Sequence, residues 1–180
     1  MSYQQDILKF SLENYHPTPI LEKVRSVRTV MIQSMDEIRK DFDLHPQTFF
    51  IAISLFDQFV EKDWKILLNK KYQFIVSVLL WISSKFEEVE PLCMDDLFYI
   101  TEHEHSKEEF LEMENLFLKT IEYKIPHITS YSILEQYKNI YPILKKKDIF
   151  KKCLDTLIQK TYQENLSSLS VLELIQFVIN

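Results

Sequence analysis

The chain has 180 residues, of which 46% are hydrophobic and 13% aromatic, and 27 acidic against 21 basic side chains leave a formal net charge of −6. Thirteen Phe and nine Tyr exclude a disordered chain, because burying one large apolar side chain is worth roughly 1.5–3 kcal/mol, and the acidic balance weighs against broad binding to nucleic acid or anionic membrane. There is no glycine at all, which weighs against phosphate-cradling loops, dinucleotide folds and tight hairpins and leaves an all-α fold, whose need for glycine is confined mainly to helix C-termini, where Asn can substitute.

Tyr3 to Asn14 has the pattern of a short amphipathic helix, with Ile7, Leu8, Phe10, Leu12 and Tyr15 on its apolar side. His16-Pro17-Thr18-Pro19 breaks it, since a residue before proline avoids the helical region. A second helix is expected from about Ile20 or Val24 to Asp41, on the repeat of Val24, Val27, Met31, Met35 and Ile38. Pro46 suits a first helical position. From there Phe49, Ile53, Phe56 and Val60 form one stripe, with Asp57 one turn beyond Ile53.

The most apolar stretch follows, Lys70 to Glu88. Phe74, Val78, Trp81 and Lys85 share one stripe of it, and Leu79, Ile82 and Phe86 the neighbouring one. Its β-branched residues also permit a buried strand. Length, charged flanks and the absence of glycine favour a central helix surrounded by others. At about 20 residues for a span, the Phe74–Ile82 run is too short to cross a bilayer. The polar N-terminus shows no signal peptide. The expected location is therefore intracellular, nuclear or cytoplasmic.

Beyond Pro91 a short helix is expected around Met94 to Ile100. Ser106 and Glu109 form a capping box opening a helix with the stripe Phe110, Met113, Phe117 and Ile121. Glu114 lies beside that stripe, and the helix ends near Tyr123, before Pro126. Ser132 and Glu135 suggest another box within Thr129 to Tyr141, which Pro142 closes. Ile149 to Tyr162 is helical by pattern, and Ser170 with Glu173 marks a last start. About five helices thus precede a proline break and three more follow it.

Several of these stretches, in order, resemble the cyclin box. Ser84-Lys85-Phe86-Glu87-Glu88 looks like the "SKFEE" that ends the third box helix. Ser54-Leu55-Phe56-Asp57-Gln58-Phe59 is similar to the "YIDRF" of the second, and Val27-Arg28-Thr29-Val30-Met31 to the "MRAIL" of the first. Phe98-Tyr99-Ile100-Thr101 resembles "VYIT", and Met113-Glu114-Asn115-Leu116 resembles "MEHL". Tyr3-Gln4-Gln5-Asp6-Ile7 is similar to the "YxxDI" of A- and B-type mitotic cyclins. The resemblance implies an N-terminal helix (1–17), a five-helix cyclin box (18–126) and a partial second helical repeat (127–180).

It also implies a function. Cyclins are not enzymes; they bind a cyclin-dependent kinase and push its regulatory helix inward. Lys85 and Glu114 would be the central kinase-binding pair, with Glu37, Glu88 and Ile100 at further kinase-facing positions. If buried, the pair would be costly to break, at about 3–5 kcal/mol. Arg28 and Asp57 carry over as a structural pair inside the box. The possible substrate-docking patch falls on Val27, Met31, Ser34, Tyr72 and Gln73. There Val27 and Ser34 stand in place of a Met and a Trp, and Tyr72 in place of a Leu; the polar Ser34 removes a large hydrophobic wall, which weighs against docking of short Arg-x-Leu peptides. The match weakens after Thr129. The apolar faces of Ile149–Tyr162 and Val171–Ile179 then need partners on the first box, another chain or the kinase.

Other stretches point to ordinary structure. His103-Glu104-His105 has no third ligand and reads as a solvated turn rather than a metal site. Lys145, Lys146, Lys147, Lys151 and Lys152 read as a solvated helix start. Cys93 and Cys153 read as packing residues in a reducing compartment. No cofactor, metal or catalytic set is expected. Against the kinase regulator stand a cyclin-fold adaptor or viral or parasite mimic that does not activate, and a B-type transcription factor. The acidic charge and missing zinc ribbon weigh against the last.

Overall fold

The computed structural model describes residues 3–20, 22–68, 71–162 and 168–179. Among them lie nine α-helices and no strand. They are α1 (Tyr3–Asn14), α2 (Arg25–Asp41), α3 (Pro46–Asp63), α4 (Tyr72–Glu87), α5 (Met94–Ile100), α6 (Lys107–Thr120), α7 (Ser130–Ile140), α8 (Lys147–Thr161) and α9 (Ser168–Ile179). The chain divides into two units, Thr18–Pro126 and Met1–Pro17 with His127–Asn180.

In the 18–126 unit α4 is the central element, packed against α2, α3, α5 and α6. Its composition explains this, for the run from Phe74 to Ser84 is buried throughout. Three serines in that run would each bring an unpaired hydroxyl into the core. Ser77, Ser83 and Ser84 instead return theirs to the carbonyls of Phe74, Leu79 and Trp81 at 2.8–2.9 Å. Lys70, expected to open this helix, lies outside the described residues, and α4 starts at Tyr72. One expectation fails here: Phe86 does not join the core stripe and is 50% exposed.

α3 begins at Pro46, as that residue's missing N–H suits, and is buried along most of its length. Between α2 and α3 sits the pair Arg28–Asp57. Arg28 Nε donates to Asp57 Oδ1 at 2.7 Å and a second guanidinium nitrogen donates to Oδ2 at 2.9 Å. The two side chains are 1% and 5% exposed. The bidentate geometry offsets the desolvation of both charges. Asp36 is buried too. Burial alone would raise its carboxyl, yet hydrogen bonds and charges from Lys40 and Arg39 outweigh this and hold it below the usual aspartate range.

The absence of glycine has a visible consequence. Asp43, Glu102, His103, Glu122 and Tyr123 all have φ between 50° and 59°. They close α2, α5 and α6. After each helix an N–H reaches five residues back: Leu44 to Arg39 O, His103 to Phe98 O and Tyr123 to Leu118 O, at 2.7–2.9 Å. This closure normally takes Gly or Asn. Asn was the expected substitute, and acids, a histidine and a tyrosine take its place.

The other unit is built around α7. α1 packs on α7, and α7, α8 and α9 pack on one another. Leu8, Ile133, Leu134, Leu144, Leu157, Val171, Leu174 and Ile175 are buried. Gln136 donates to Ser11 Oγ at 2.7 Å, tying α7 to α1. The faces of α8 and α9 thus meet each other and α7. The expected capping box at Ser132 and Glu135 is corrected: Thr129 is the N-cap and Ser132 its partner, with N–H to Oγ distances of 2.9 and 3.2 Å. Two serine or threonine hydroxyls can exchange these bonds as well as a glutamate can. α9 starts at Ser168, so Ser170 lies inside it rather than at its cap.

Candidate functional site

The stretch Ser84-Lys85-Phe86-Glu87-Glu88 ends α4, and its residues have separate tasks. Ser84 closes the helix. Its carbonyl accepts from Glu88 N–H at 2.8 Å and its hydroxyl from Leu92 N–H at 3.1 Å. Glu88 turns back to α3, where its carboxylate accepts from His45 N–H at 2.8 Å and from the Thr48 hydroxyl. A carboxylate at a helix N-terminus satisfies N–H groups that have no partner within the helix. Glu87 lies 3.6 Å from His45 Nδ1. Lys85 and Phe86 are left facing outward.

Lys85 Nζ lies 2.6 Å from Glu114 Oε1 on α6. The side chains are 37% and 17% exposed. The pair forms, but it is not buried. The figure for breaking a buried pair therefore does not apply, and solvent screening brings its contribution near the 0–1 kcal/mol, roughly, of surface pairs. The lysine ammonium sits in the last turn of α4, where the helix dipole favours a cation. It also lies 3.2 Å from the centroid of the Trp81 ring. The sequence pattern placed Trp81 and Lys85 on one stripe but did not mark this contact; their i, i+4 spacing was the available signal. The outcome is a fixed, partly exposed positive charge backed by an aromatic ring, beside a fixed carboxylate and the half-exposed Phe86.

The other expected site residues fall elsewhere. Glu37, Ile100, Ser34 and Gln73 line one cleft of about 460 Å³, which Lys85 and Glu114 do not line. Asp41 and Glu102 add carboxylates to it, and Tyr99, packed edge-on against Phe42 at 6.2 Å, is largely exposed. Ile100 itself is buried, and its carbonyl accepts a hydrogen bond from the Gln73 side chain. In the possible docking patch Tyr72 is exposed and Val27 partly so, whereas Met31 is fully buried and offers no surface.

His105 departs from the solvated turn expected of it. Its ring stacks on Phe74 at 3.9 Å between centroids and meets Phe110 edge-on. Among the described residues no three His, Cys, Asp or Glu side chains gather as a metal would need. Cys153 is buried, and burial pushes its thiol pKa up. Cys93 is exposed at the α5 N-cap rather than packed. The lysines at 145–147, 151 and 152 are exposed and make no ion pair among the described residues. No helix of the described residues is long and apolar enough to cross a membrane.

Cyclin-B2-1 of Arabidopsis thaliana is 28% identical over 161 residues, 85% of this chain and 36% of that protein. Cyclin-A2 of Xenopus laevis is 26% identical over 132 residues, 73% of this chain and 31% of that one. The chain thus spans about a third of the length of these curated relatives. A crystal structure of a viral cyclin from herpesvirus saimiri superposes with a TM-score of 0.71 at 19% identity, covering 97% of this chain and 80% of that one, and so shares its fold. Residues 4–126 match the family "Cyclin, N-terminal domain". With the five helices α2 to α6 in order and two thirds of its length matched, this chain belongs to the cyclin family.

Proposed function

We propose that this protein is a regulatory subunit that binds and activates a cyclin-dependent protein kinase, and that Lys85 and Glu114 form the centre of the contact. Membership of the cyclin family supports the class of partner. The single observation that carries the site is the Lys85–Glu114 pair, fixed at 2.6 Å yet partly open to solvent. Such a pair presents a donor and an acceptor side by side, as needed to meet backbone carbonyl and N–H groups of a partner helix end. Glu37, Glu88 and Ile100 are further kinase-facing positions in this reading, of which Glu88 is committed to the start of α3 and Ile100 is buried.

The test is co-elution with a panel of cyclin-dependent kinases, followed by phosphorylation of a standard substrate. Binding with raised activity is expected. The exchange Lys85→Glu with Glu114→Lys keeps an internal ion pair while reversing both charges toward the partner. It should abolish co-elution with the helical circular dichroism unchanged. Wild-type affinity in that exchange would overturn the proposed contact. A complex without gain in activity would favour the non-activating adaptor.

A further inference from the structure

The Lys85 ammonium is held from two sides. Glu114 Oε1 lies 2.6 Å away and the Trp81 ring centroid 3.2 Å away. The i, i+4 spacing on α4 brings tryptophan and lysine onto the same side of the helix. Trp81 is only 6% exposed, so its ring is a fixed platform rather than a mobile neighbour. An indole face attracts a cation through its quadrupole, more strongly as the cation loses water. A carboxylate alone would leave a long lysine free to follow it through several rotamers, and that freedom is lost on binding.

We propose that Trp81 is a positioning residue for the kinase contact: its ring holds the Lys85 ammonium in its binding orientation before the partner arrives. The inference rests on reading Lys85 as that contact. An ammonium has three N–H donors. Glu114 takes one and the ring face engages the side of the ammonium turned toward it. The remaining donor is then directed to solvent, where a carbonyl oxygen of a partner can accept. The lysine stem is also kept from snorkelling away along the helix surface, as it would over an ordinary aliphatic side chain.

Protons above an aromatic face are shielded by its ring current. In the carbon–proton correlation spectrum of the free protein, the Lys85 ε-methylene should lie upfield of the exposed lysines, with Lys85→Met assigning the signal. Trp81→Phe, with a smaller ring, should retain part of the shift. The kinase that co-elutes with the wild type is then titrated with each variant. Trp81→Leu should weaken binding about three- to tenfold, the range of a partly desolvated cation–π contact. The double variant Trp81→Leu/Lys85→Met should bind no more weakly than Lys85→Met alone. An unshifted Lys85 methylene overturns the inference without any kinase present. Wild-type affinity in Trp81→Leu overturns it as well, and where that variant fails to fold, wild-type affinity in Trp81→Phe despite a lost shift does the same. If the wild type binds no cyclin-dependent kinase, the functional reading fails and the inference with it, while the methylene shift still reports whether the ring holds the lysine.

Discussion

The unit of residues 18–126 and the unit formed by 1–17 with 127–180 are both helical, but different interactions hold them. The first is contiguous in sequence and surrounds one apolar helix. Its interior admits charge as the bidentate Arg28–Asp57 pair and as Asp36 held by Arg39 and Lys40, and α6 opens with a reciprocal capping box. The second has a smaller set of buried aliphatics and must join chain ends far apart, as the Ser11–Gln136 bond does across 125 residues. Closing so long a loop carries an entropy penalty. Capping does not divide the two, for α6 and α7 each open with a reciprocal box while α4 and α8 lack a side-chain cap. Contiguous packing around one apolar helix goes with the first unit, and long-range closure with the second.

The largest effect should come from the buried charge in the first unit. Asp57→Ala leaves the Arg28 guanidinium in the core and should cost about 3–5 kcal/mol, read as a lowered urea midpoint. An unchanged midpoint would show that solvent reaches the pair. In the second unit Leu8→Ala should cost about 2–3 kcal/mol, toward the low end for a buried leucine at the edge of a small core. Hydrogen exchange should then accelerate in α1 and α7 while α4 stays protected; equal acceleration in α4 would mean that the units unfold together. Ser106→Ala removes one half of the α6 box and should cost about 1 kcal/mol by thermal melting, with Ser106→Gly recovering most of it. The smallest effect has the opposite sign. Tyr123→Gly relieves a left-handed residue at φ 59° and should stabilise by about 0.5–1 kcal/mol, the relief exceeding the added freedom of the unfolded chain. A lowered melting temperature would show instead that the exposed Tyr123 ring packs more than its exposure suggests.

Much of the first unit was legible because its cues are local. Proline at Pro46, the Ser106–Glu109 box and the 3.6-residue stripes each act within one or two turns. One correction is itself local: Thr129, extended at the start of α7, exchanges bonds with Ser132 and is the cap. Others fall where a second element decides. His105 is not solvated because Phe74 and Phe110 bracket its ring. Met31, which the stripe of α2 already placed toward the core, is fully buried and so leaves the possible docking patch. At the candidate site the pairing of Lys85 with Glu114 was anticipated through family resemblance, whereas its partial exposure and the Trp81 contact were not.

Composition and periodicity alone were sufficient for the all-helical class, the position of nearly every helix and the central place of α4. With no glycine and long apolar stripes, few other backbones could satisfy their hydrogen bonds and bury that much surface. Ordered motifs then pointed to the cyclin box. Only the packed structure decided what each residue at the end of α4 does: Ser84 turns the chain, Glu88 caps α3, Phe86 faces out and Lys85 rests on Trp81 beside Glu114. The spacing along one helix specifies which side chains share a face. It does not specify what the neighbouring helices place opposite them, and that is what sets burial, pairing and direction.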